Sequence, residues 1–246
     1  MRYILFLFIF ILIPQYSIAQ NTVLDSDNDG LTDWEEEYKY FTDKENPDTD
    51  GDGYLDGIEL QYHYSPHQAQ VTLSGADQDQ DGLSDWLELQ FGTNWLSSDT
   101  DGDGYPDYAE VVHSYDPLSP EPRLLDQSII IDTDTQKVRA YLDGVQLTEF
   151  DTSTGKLGYE TPPGVYKIEN KHPRAWSGSY GLWMPYWMGF IGTTYGIHEL
   201  PEWPGGYKEG EDHLGTPVSH GCVRLGEGDA EWLYTWARIG TTVEVR

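Results

Sequence analysis

One acidic pattern occurs four times in the first half of this 246-residue chain and restricts what that half can fold into. The pattern is Asp-x-Asp-x-Asp-Gly-x-x-Asp-x-x-Glu, and its copies begin at Asp25, Asp48, Asp77 and Asp99. Residues 21–120 hold 25 acidic and 2 basic side chains, so a folded form that keeps these carboxylates together needs a compensating cation. This negative charge also argues against nucleic acid or an anionic membrane as a partner.

The spacing within each copy is that of a calcium-binding loop. Carboxylates at positions 1, 3 and 5 converge on one point, glycine at position 6 allows a sharp turn, and glutamate at position 12 can bind with both oxygens. The side chain at position 9 binds the ion directly or through a water molecule. Four copies with the same glycine disfavour a disordered acidic stretch. The predicted metal ligands are Asp25, Asp27, Asp29, Asp33, Glu36, Asp48, Asp50, Asp52, Asp56, Glu59, Asp77, Asp79, Asp81, Asp85, Glu88, Asp99, Asp101, Asp103, Asp107 and Glu110.

The segments around these loops distinguish them from EF-hand pairs. No clear amphipathic helix precedes each loop, whereas short helical stretches such as residues 34–40 and 86–91 follow them. The repeats resemble bacterial thrombospondin type-3 repeats and, less closely, dockerin modules. The resemblance implies structural Ca²⁺ in residues 20–115, with metal binding supplying the folding free energy. Contacts of these repeats with other envelope proteins stay an open alternative.

The N-terminus is predicted to be a secretory signal peptide, residues 1–19. A charged start is followed by an apolar run over residues 4–14 and by Ser17-Ile18-Ala19, a small-x-small cleavage site. The run is shorter than the ~20 residues that span a bilayer. We therefore expect export to the periplasm, the cell envelope or the outside, with a retained N-terminal anchor as the weaker alternative.

The only cysteine, Cys222, lies in the sequence Ser219-His220-Gly221-Cys222 and is the candidate nucleophile. A thiolate is the reactive form, and a free thiol needs a neighbouring base or positive field to reach it. His220 and the upstream His198 can supply a base. Gly221 can turn the backbone so that N–H groups converge, as an oxyanion hole requires. A single thiol in an oxidising compartment is open to oxidation and has no partner for an internal disulfide. Its presence there favours a nucleophile over a buried structural cysteine.

Three segments of the second half resemble the L,D-transpeptidase family, which has a YkuD-type catalytic domain. They are residues 219–225 (Ser-His-Gly-Cys-Val-Arg-Leu, preceded by Gly-Ile-His at 196–198), residues 161–166 (Thr-Pro-Pro-Gly-Val-Tyr) and the closing strand at 240–245. The resemblance implies a mainly β, sandwich-like domain over residues 126–246, with one helix after the nucleophile within residues 228–239. The segment 199–218 is longer than is usual in the family, and the sequence leaves its role open.

The same resemblance implies acyl transfer on peptidoglycan stem peptides without a catalytic cofactor. Cys222 would attack the carbonyl of the third stem residue and expel the terminal D-alanine. His198 would be the base, with its second ring nitrogen held by the carbonyl of Glu199. An amine acceptor makes the enzyme a transpeptidase, and water makes it an L,D-carboxypeptidase. A calcium-dependent envelope-binding or adhesion protein, in which the second half only binds, is an alternative of another class.

The resemblance also assigns roles to the neighbours of Cys222. His220 and Gly221, together with the N–H of Cys222, would line the oxyanion site. Ser219 would orient a histidine or the substrate. Arg224 would bind a carboxylate of the stem peptide.

The chain is thus predicted to have four parts, and strands in the last of them. The parts are the signal peptide at 1–19, the calcium repeats at 20–115, a Pro-rich linker at 116–125 and the catalytic domain at 126–246. Strands are predicted at residues 128–131, 138–142, 145–150 and 165–169. The aromatic segment 176–195 packs either in the core, which is the commoner use of aromatic residues, or as a wall or lid over the site.

Overall fold

The computed structural model describes residues 24–246, so the predicted signal peptide lies outside the described residues. The chain divides into two compact units, Met1–Ala76 and Asp77–Arg246. This division falls between the second and third acidic loops, whereas the sequence places its module boundary at the Pro-rich linker 116–125. Over residues 24–246, no helix combines the length and the apolar character needed to cross a membrane.

In the first unit, two acidic loops each lead into a short helical element. Helix α1 (Asp33–Glu35) continues as a π-helical turn at Glu36–Tyr40, and α2 covers Asp56–Gln61. The described part of the unit buries only a few hydrophobic side chains, namely Leu31, Leu73 and Ala76. So small an apolar core offsets little of the conformational entropy lost on folding, which makes this unit dependent on other interactions.

In the second unit, the third and fourth loops lead into α3 (Asp85–Phe91) and α4 (Asp107–His113). Leu83 of the third loop and Val111 of α4 lie in the same buried cluster as the strand residue Ile129. The third and fourth loops are therefore packed on the β-structure that follows them, and these two loops share its core.

The rest of the second unit is one curled nine-stranded sheet. Its strands are β1 (Gln127–Asp132), β2 (Lys137–Leu142), β3 (Val145–Ser153), β4 (Gly164–Lys167), β5 (Asn170–Ser177), β6 (Leu182–Ile191), β7 (Tyr195–Glu199), β8 (Val223–Leu225) and β9 (Thr242–Val245). The strand order is β4-β9-β1-β2-β3-β8-β7-β6-β5. The β1–β9 and β7–β8 pairs are parallel, and the other pairs are antiparallel.

The sheet curls so that its two halves enclose the core. The long strand β3 pairs with β2 and, through its last two residues, with β8, which links the halves. Tyr166 on β4 packs against Phe190 on β6, with ring centroids 5.6 Å apart. Helix α5 (Asp229–Trp236) buries Ala230 and Leu233 in this core. The predicted fold class, a mainly β domain with one helix after Cys222 and short helices in the calcium repeats, is confirmed.

The predicted strands agree with β1 to β4 within a few residues, whereas β5 to β8 are not evident from the sequence. In β6 apolar and aromatic residues follow one another without alternation, as expected for a strand with little solvent-exposed face. The strand β8 is only three residues long, which is too short for a periodic pattern. These four strands carry or border the candidate site.

Candidate active site

Parallel pairing of β7 with β8 brings His198 and Cys222 to one cleft. Ile197 pairs with Val223, and His198 pairs with Arg224. Cys222, which immediately precedes β8, therefore lies beside β7. Cys222, His198, His220 and Arg224 all line this cleft, which has a volume of about 650 Å³. The structure therefore brings together residues that lie up to 26 positions apart in the sequence.

The turn before β8 is held by hydrogen bonds of Ser219. Its buried hydroxyl donates to the carbonyl oxygen of Cys222 at 2.6 Å and accepts from the N–H of Gly221 at 3.0 Å. Thr161 secures the same turn, because its hydroxyl donates to the carbonyl oxygen of Gly221 at 2.9 Å. Ser219 thus shapes the backbone around Cys222, and its expected part in orienting a histidine or the substrate stays a prediction. The N–H of Gly221 is engaged inside the turn, which differs from its predicted place among the oxyanion donors.

Gly221 meets two requirements that only glycine satisfies at this point. Its φ of +109° lies in a region that L side chains rarely adopt. A β-carbon there would also lie 2.5 Å from Cε1 of Tyr195. The glycine in the motif is therefore needed for the backbone path and for the close approach of the Tyr195 ring.

The imidazole of His198 is buried and held in one tautomer. It is only 3% exposed, and its Nδ1 lies 2.5 Å from the carbonyl oxygen of Glu199, the partner expected from the sequence. A carbonyl oxygen only accepts, so Nδ1 carries the proton and Nε2 keeps its lone pair. The ring stacks on Trp187 with centroids 6.0 Å apart. Burial lowers the pKa of His198 to about 4, so the ring is neutral at pH 7.

The thiol of Cys222 is held close to backbone groups. Its Sγ lies 3.8 Å from the carbonyl oxygen of Thr194. Burial raises the pKa of the thiol, while the N–H of Gly196 and the charge of Arg224 act in the opposite direction. Because burial favours the neutral forms of both Cys222 and His198, the cleft at rest holds a thiol and a neutral imidazole.

Arg224 is fixed by a carboxylate that the sequence analysis missed. Its Nη1 lies 2.9 Å from both oxygens of Glu209, and both side chains are largely buried. Glu209 Oε1 also lies 2.5 Å from Nδ1 of His213. The i,i+4 spacing of Glu209 and His213 was a weak signal in the sequence, but only the fold shows that Arg224 joins them. His213 is not among the residues that line the cleft.

The long segment 199–218 is an ordered wall of the cleft. Glu202 forms isolated β-bridges with Trp183 of β6 and with Lys208. The Nζ of Lys208 lies 2.7 Å from carboxylate oxygens of both Glu199 and Glu227. Trp203 of this segment lines the cleft. The segment thus attaches to the sheet at several points and leaves His198 at the cleft.

The aromatic segment 176–195 contributes side chains both to the core and to the wall of the cleft, the two possibilities that the sequence left open. Trp187 and Phe190 of β6 are buried. Trp176 and Tyr180, near the β5–β6 turn, are exposed and line the cleft. His220 lies between two rings at the cleft, 4.9 Å from the centroid of Tyr180 and 4.9 Å from that of Tyr159.

The four acidic loops bring their position 1, 3 and 5 carboxylates together. In each loop one oxygen from each of these three residues lies within 4.8 Å of the others. The glutamates at position 12 are buried, and burial next to the loop aspartates raises their pKa. At positions 3 and 12 of every loop, one buried carboxylate oxygen has no hydrogen-bond partner among the described residues. These oxygens belong to Asp27, Glu36, Asp50, Glu59, Asp79, Glu88, Asp101 and Glu110.

The aspartates at position 9 have a different place in the loops. Each accepts a hydrogen bond from the backbone N–H seven residues earlier. In the second loop, for example, both oxygens of Asp56 accept from Thr49, at 2.8 Å from its N–H and 2.6 Å from its hydroxyl. Asp107 and Thr100 repeat the arrangement in the fourth loop. The equivalent residues Asp33 and Asp85 accept from Ser26 and Gln78. Position 9 therefore closes each loop, and Asp56 of the second loop also offers a ligand atom within 4.8 Å of those of Asp29 and Glu36, a set that could hold a metal ion.

Comparison with known families agrees with both halves of the sequence analysis. Residues 126–245 match the family model of the L,D-transpeptidase catalytic domain, YkuD. Residues 25–38, 48–63 and 99–120 match the bacterial TSP3 repeat, and the third acidic loop lies outside these segments. A putative L,D-transpeptidase YkuD of Bacillus licheniformis is 25% identical over 124 residues, which are 50% of this chain and 68% of that protein.

Two solved structures illustrate the likeness of the second half. An L,D-transpeptidase from Mycobacterium smegmatis is 21% identical with a TM-score of 0.44, and the match covers 50% of this chain and 59% of that chain. An L,D-transpeptidase (Yku) from Stackebrandtia nassauensis is 31% identical with a TM-score of 0.42, over 49% of this chain and 55% of that one. The chain thus spans less than two thirds of these solved proteins. The second half of the chain is thus similar to the L,D-transpeptidase catalytic domain, YkuD, and the segments before it are similar to the bacterial TSP3 repeat.

Proposed function

We propose that this protein is an exported L,D-transpeptidase that uses Cys222 as its nucleophile on peptidoglycan stem peptides. The observation that carries the proposal is one cleft lined by both Cys222 and His198, in which the tautomer of His198 is fixed by the carbonyl of Glu199. A fixed, neutral imidazole with a free Nε2 is suited to accept a thiol proton. Export rests on the signal peptide predicted at residues 1–19.

The proposed reaction has two acyl-transfer steps. The Cys222 sulfur attacks the carbonyl carbon of the third stem residue, and His198 Nε2 takes the thiol proton. The peptide C–N bond then breaks, the proton passes to the leaving D-alanine amine, and a thioester to Cys222 remains. An acceptor amine attacks the thioester, His198 takes its proton, and the thiol is regenerated. Water in place of the amine gives the carboxypeptidase outcome.

We further propose that the four acidic loops hold structural Ca²⁺. The unpartnered buried oxygens at positions 3 and 12 support this fit, because a buried carboxylate oxygen is costly unless it is paired or binds a metal. The ligands would be the side chains at positions 1, 3, 5 and 12 of each loop. When bound, the ion offsets two of the four negative charges at each site and so reduces the repulsion among the loop carboxylates. The proposed acyl transfer itself uses no metal.

The defining experiment is mass spectrometry of the full chain with a synthetic stem tetrapeptide and a separate acceptor amine. A covalent adduct on Cys222 that lacks the D-alanine, followed by a cross-linked product, is the expected result for a transpeptidase. Free tripeptide as the sole product would reassign the protein as an L,D-carboxypeptidase. If neither an adduct nor a product is detected, the proposed enzyme is refuted and the second half is a binding module.

Replacing His198 with alanine is expected to slow the acylation of Cys222 by roughly 10²- to 10⁴-fold, because the thiol loses its general base. His213 also lies in the second half but does not line the cleft, so His213→Ala is the matched control and should cost far less. Stopped-flow acylation by a carbapenem measures both variants. A larger loss in His213→Ala than in His198→Ala would contradict the assignment of the base.

Replacing Arg224 with alanine is expected to raise KM by roughly 10- to 100-fold, since a hydrogen bond to a charged group contributes ~1.5–3 kcal/mol. Glu209→Gln should raise KM less, because it keeps the shape of the contact that holds Arg224 but removes the charge. Steady-state kinetics with the tetrapeptide separates KM from kcat. If kcat falls while KM is unchanged, Arg224 acts on the reacting groups and does not anchor a substrate carboxylate.

A further inference from the structure

Each compact unit contains a tyrosine-lined cavity beside its second acidic loop. The loop-2 pocket, beside the loop that begins at Asp48, has a volume of about 610 Å³. The loop-4 pocket, beside the loop that begins at Asp99, has a volume of about 380 Å³. Both volumes are within the ~300–1,000 Å³ that is usual for small-molecule sites. Neither cavity contains residues of the proposed catalytic site.

The two pockets are built from equivalent positions of their loops. Position 7 is Tyr54 in one and Tyr105 in the other, and position 17 is Tyr64 in one and Tyr115 in the other. Glutamate at position 12, Glu59 or Glu110, completes the shared set.

The backbone that carries the position-17 tyrosines is also the same in both units. Tyr64 forms an isolated antiparallel bridge with Thr72, and Tyr115 forms one with Leu124. A backbone hydrogen bond of 2.9 Å lies next to each bridge, from Leu73 to His63 in the first unit and from Leu125 to Ser114 in the second. The same pocket is therefore formed twice by the same local fold, which argues against an accident of one loop.

Position 7 has opposite uses in the odd and even loops. In the first and third loops it is leucine and buried, with Leu31 at 7% and Leu83 at 2% exposure. In the second and fourth loops it is tyrosine and exposed, with Tyr54 at 60% and Tyr105 at 65%. A large ring with an apolar face and a polar tip, placed in solvent at the same position twice, is typical of a binding surface.

Position 5 differs between odd and even loops in the same way. Oδ2 of Asp29 accepts from the N–H of Gly57, and Oδ2 of Asp81 accepts from the N–H of Tyr108, so both oxygens are used. Their even-loop counterparts, Asp52 and Asp103, line the two pockets. Among residues 24–246, Oδ2 of Asp52 and of Asp103 accepts no hydrogen bond. This oxygen is left for the proposed Ca²⁺, so the ion would lie at the edge of each pocket beside its tyrosines.

We propose that the two pockets bind sugar rings of a neutral polysaccharide. A tyrosine face can cover the apolar C–H face of a pyranose, and a tyrosine hydroxyl can exchange a hydrogen bond with a ring hydroxyl. The 25 acidic and 2 basic residues of segment 21–120 exclude a polyanionic chain. Two pockets built from equivalent loop positions suit a ligand that repeats along its length. The choice of peptidoglycan glycan strands as that polysaccharide rests on the proposed function.

The test is isothermal titration of the full chain, in calcium, with a short chitin oligosaccharide and with peptide-free glycan strands of peptidoglycan whose lactyl carboxylates are amidated, as they are where the strand carries its peptides. The wild type is expected to bind two oligosaccharides, and Tyr54→Ala is expected to bind one. In the double variant Tyr54→Ala/Tyr105→Ala the affinity for glycan strands should fall at least about tenfold, because exposed tyrosines of this kind dominate binding energies. Tyr38→Ala is the matched control, since Tyr38 is equally exposed but lies outside both pockets.

Three outcomes would overturn the proposal: no binding of either sugar by the wild type, equal binding by the double variant, or binding of poly-lysine but not of sugars. Tyr54→Phe/Tyr105→Phe keeps both rings and should retain binding, and protease resistance in calcium checks the fold of every variant. Carbapenem acylation of Cys222 is measured in parallel. It should be unchanged in the double variant, so failure of the sugar site and failure of the proposed enzyme give different results.

Discussion

Replacing Cys222 with alanine is expected to abolish turnover and carbapenem acylation while the fold is retained. Loss of the nucleophile should cost on the order of 10⁴-fold or more in rate, because the remaining groups can only position the substrate. The side chain removed is small, so the free energy of unfolding should change little. Intact-mass spectrometry after carbapenem treatment, together with thermal unfolding, measures both effects.

The sequence provides a clean control for this variant. Cys222 is the only cysteine, so iodoacetamide should label the wild type once and Cys222→Ala not at all. Cys222→Ser keeps the size of the side chain with a much weaker nucleophile and should also lose acylation. Turnover near the wild-type level in either variant would refute the proposed mechanism.

Chelation of calcium is expected to unfold the first unit, residues 24–76. Its described hydrophobic core is limited to Leu31, Leu73 and Ala76, so the proposed ions supply most of its folding free energy. The third and fourth loops should resist longer, because Leu83 and Val111 are packed in the core of the sheet. Limited proteolysis with and without EDTA, read by mass spectrometry, should therefore give early cuts before residue 77 and later cuts in residues 77–110.

Acylation of Cys222 is the control for this experiment, and the full chain is used throughout. The proposed chemistry needs a thiol and an imidazole, so acylation should continue in EDTA while the first unit is being cut. If acylation stops before any cleavage, a metal takes part in the reaction. If the loops are equally resistant with and without EDTA, metal does not fold them.

The loop glutamates also predict an unusual pH dependence of the calcium-free protein. Burial, followed by the charges of nearby aspartates, raises the pKa of Glu36 to about 7, of Glu59 to about 8 and of Glu88 to about 9. A raised pKa means that the folded state binds the proton more tightly than the unfolded state. The stability gained is complete below about pH 4.5 and is lost as pH rises through 7 to 9. Without calcium, the loops should therefore unfold more easily at pH 8 than at pH 5, and calcium should abolish this trend.

The catalytic motif shows how far local sequence leads. The residues 219–222 and the histidine at 198 are recognisable as candidates because a nucleophile, its base and a permissive glycine each require particular residue types. The structure gives Ser219 a backbone role that the sequence did not predict, since its hydroxyl bonds to backbone atoms of Gly221 and Cys222. The direction of a hydroxyl depends on the path of the turn, which the residue types alone do not specify.

The acidic loops show the same limit. The spacing of Asp25, Asp27 and Asp29 predicts a shared ligand point, because a 12-residue loop determines its own geometry. The same spacing does not say that Asp33 closes the loop through Ser26, nor that position 7 is buried in one loop and exposed in the next. Those differences come from what each loop packs against.

The sequence by itself therefore determined the chemistry of this protein: which thiol and imidazole are available, where acidic loops can hold ions, and that the second half is mainly β. Only the tertiary structure decided that Glu209 holds Arg224, that the third and fourth loops share the core of the sheet, and that two tyrosine pockets are built alike. The physical reason is the sequence separation between the residues that determine each feature. Loop turns and motif spacings are set by neighbours in the chain, whereas ion pairs and core packing join residues whose distance is fixed only when the sheet closes.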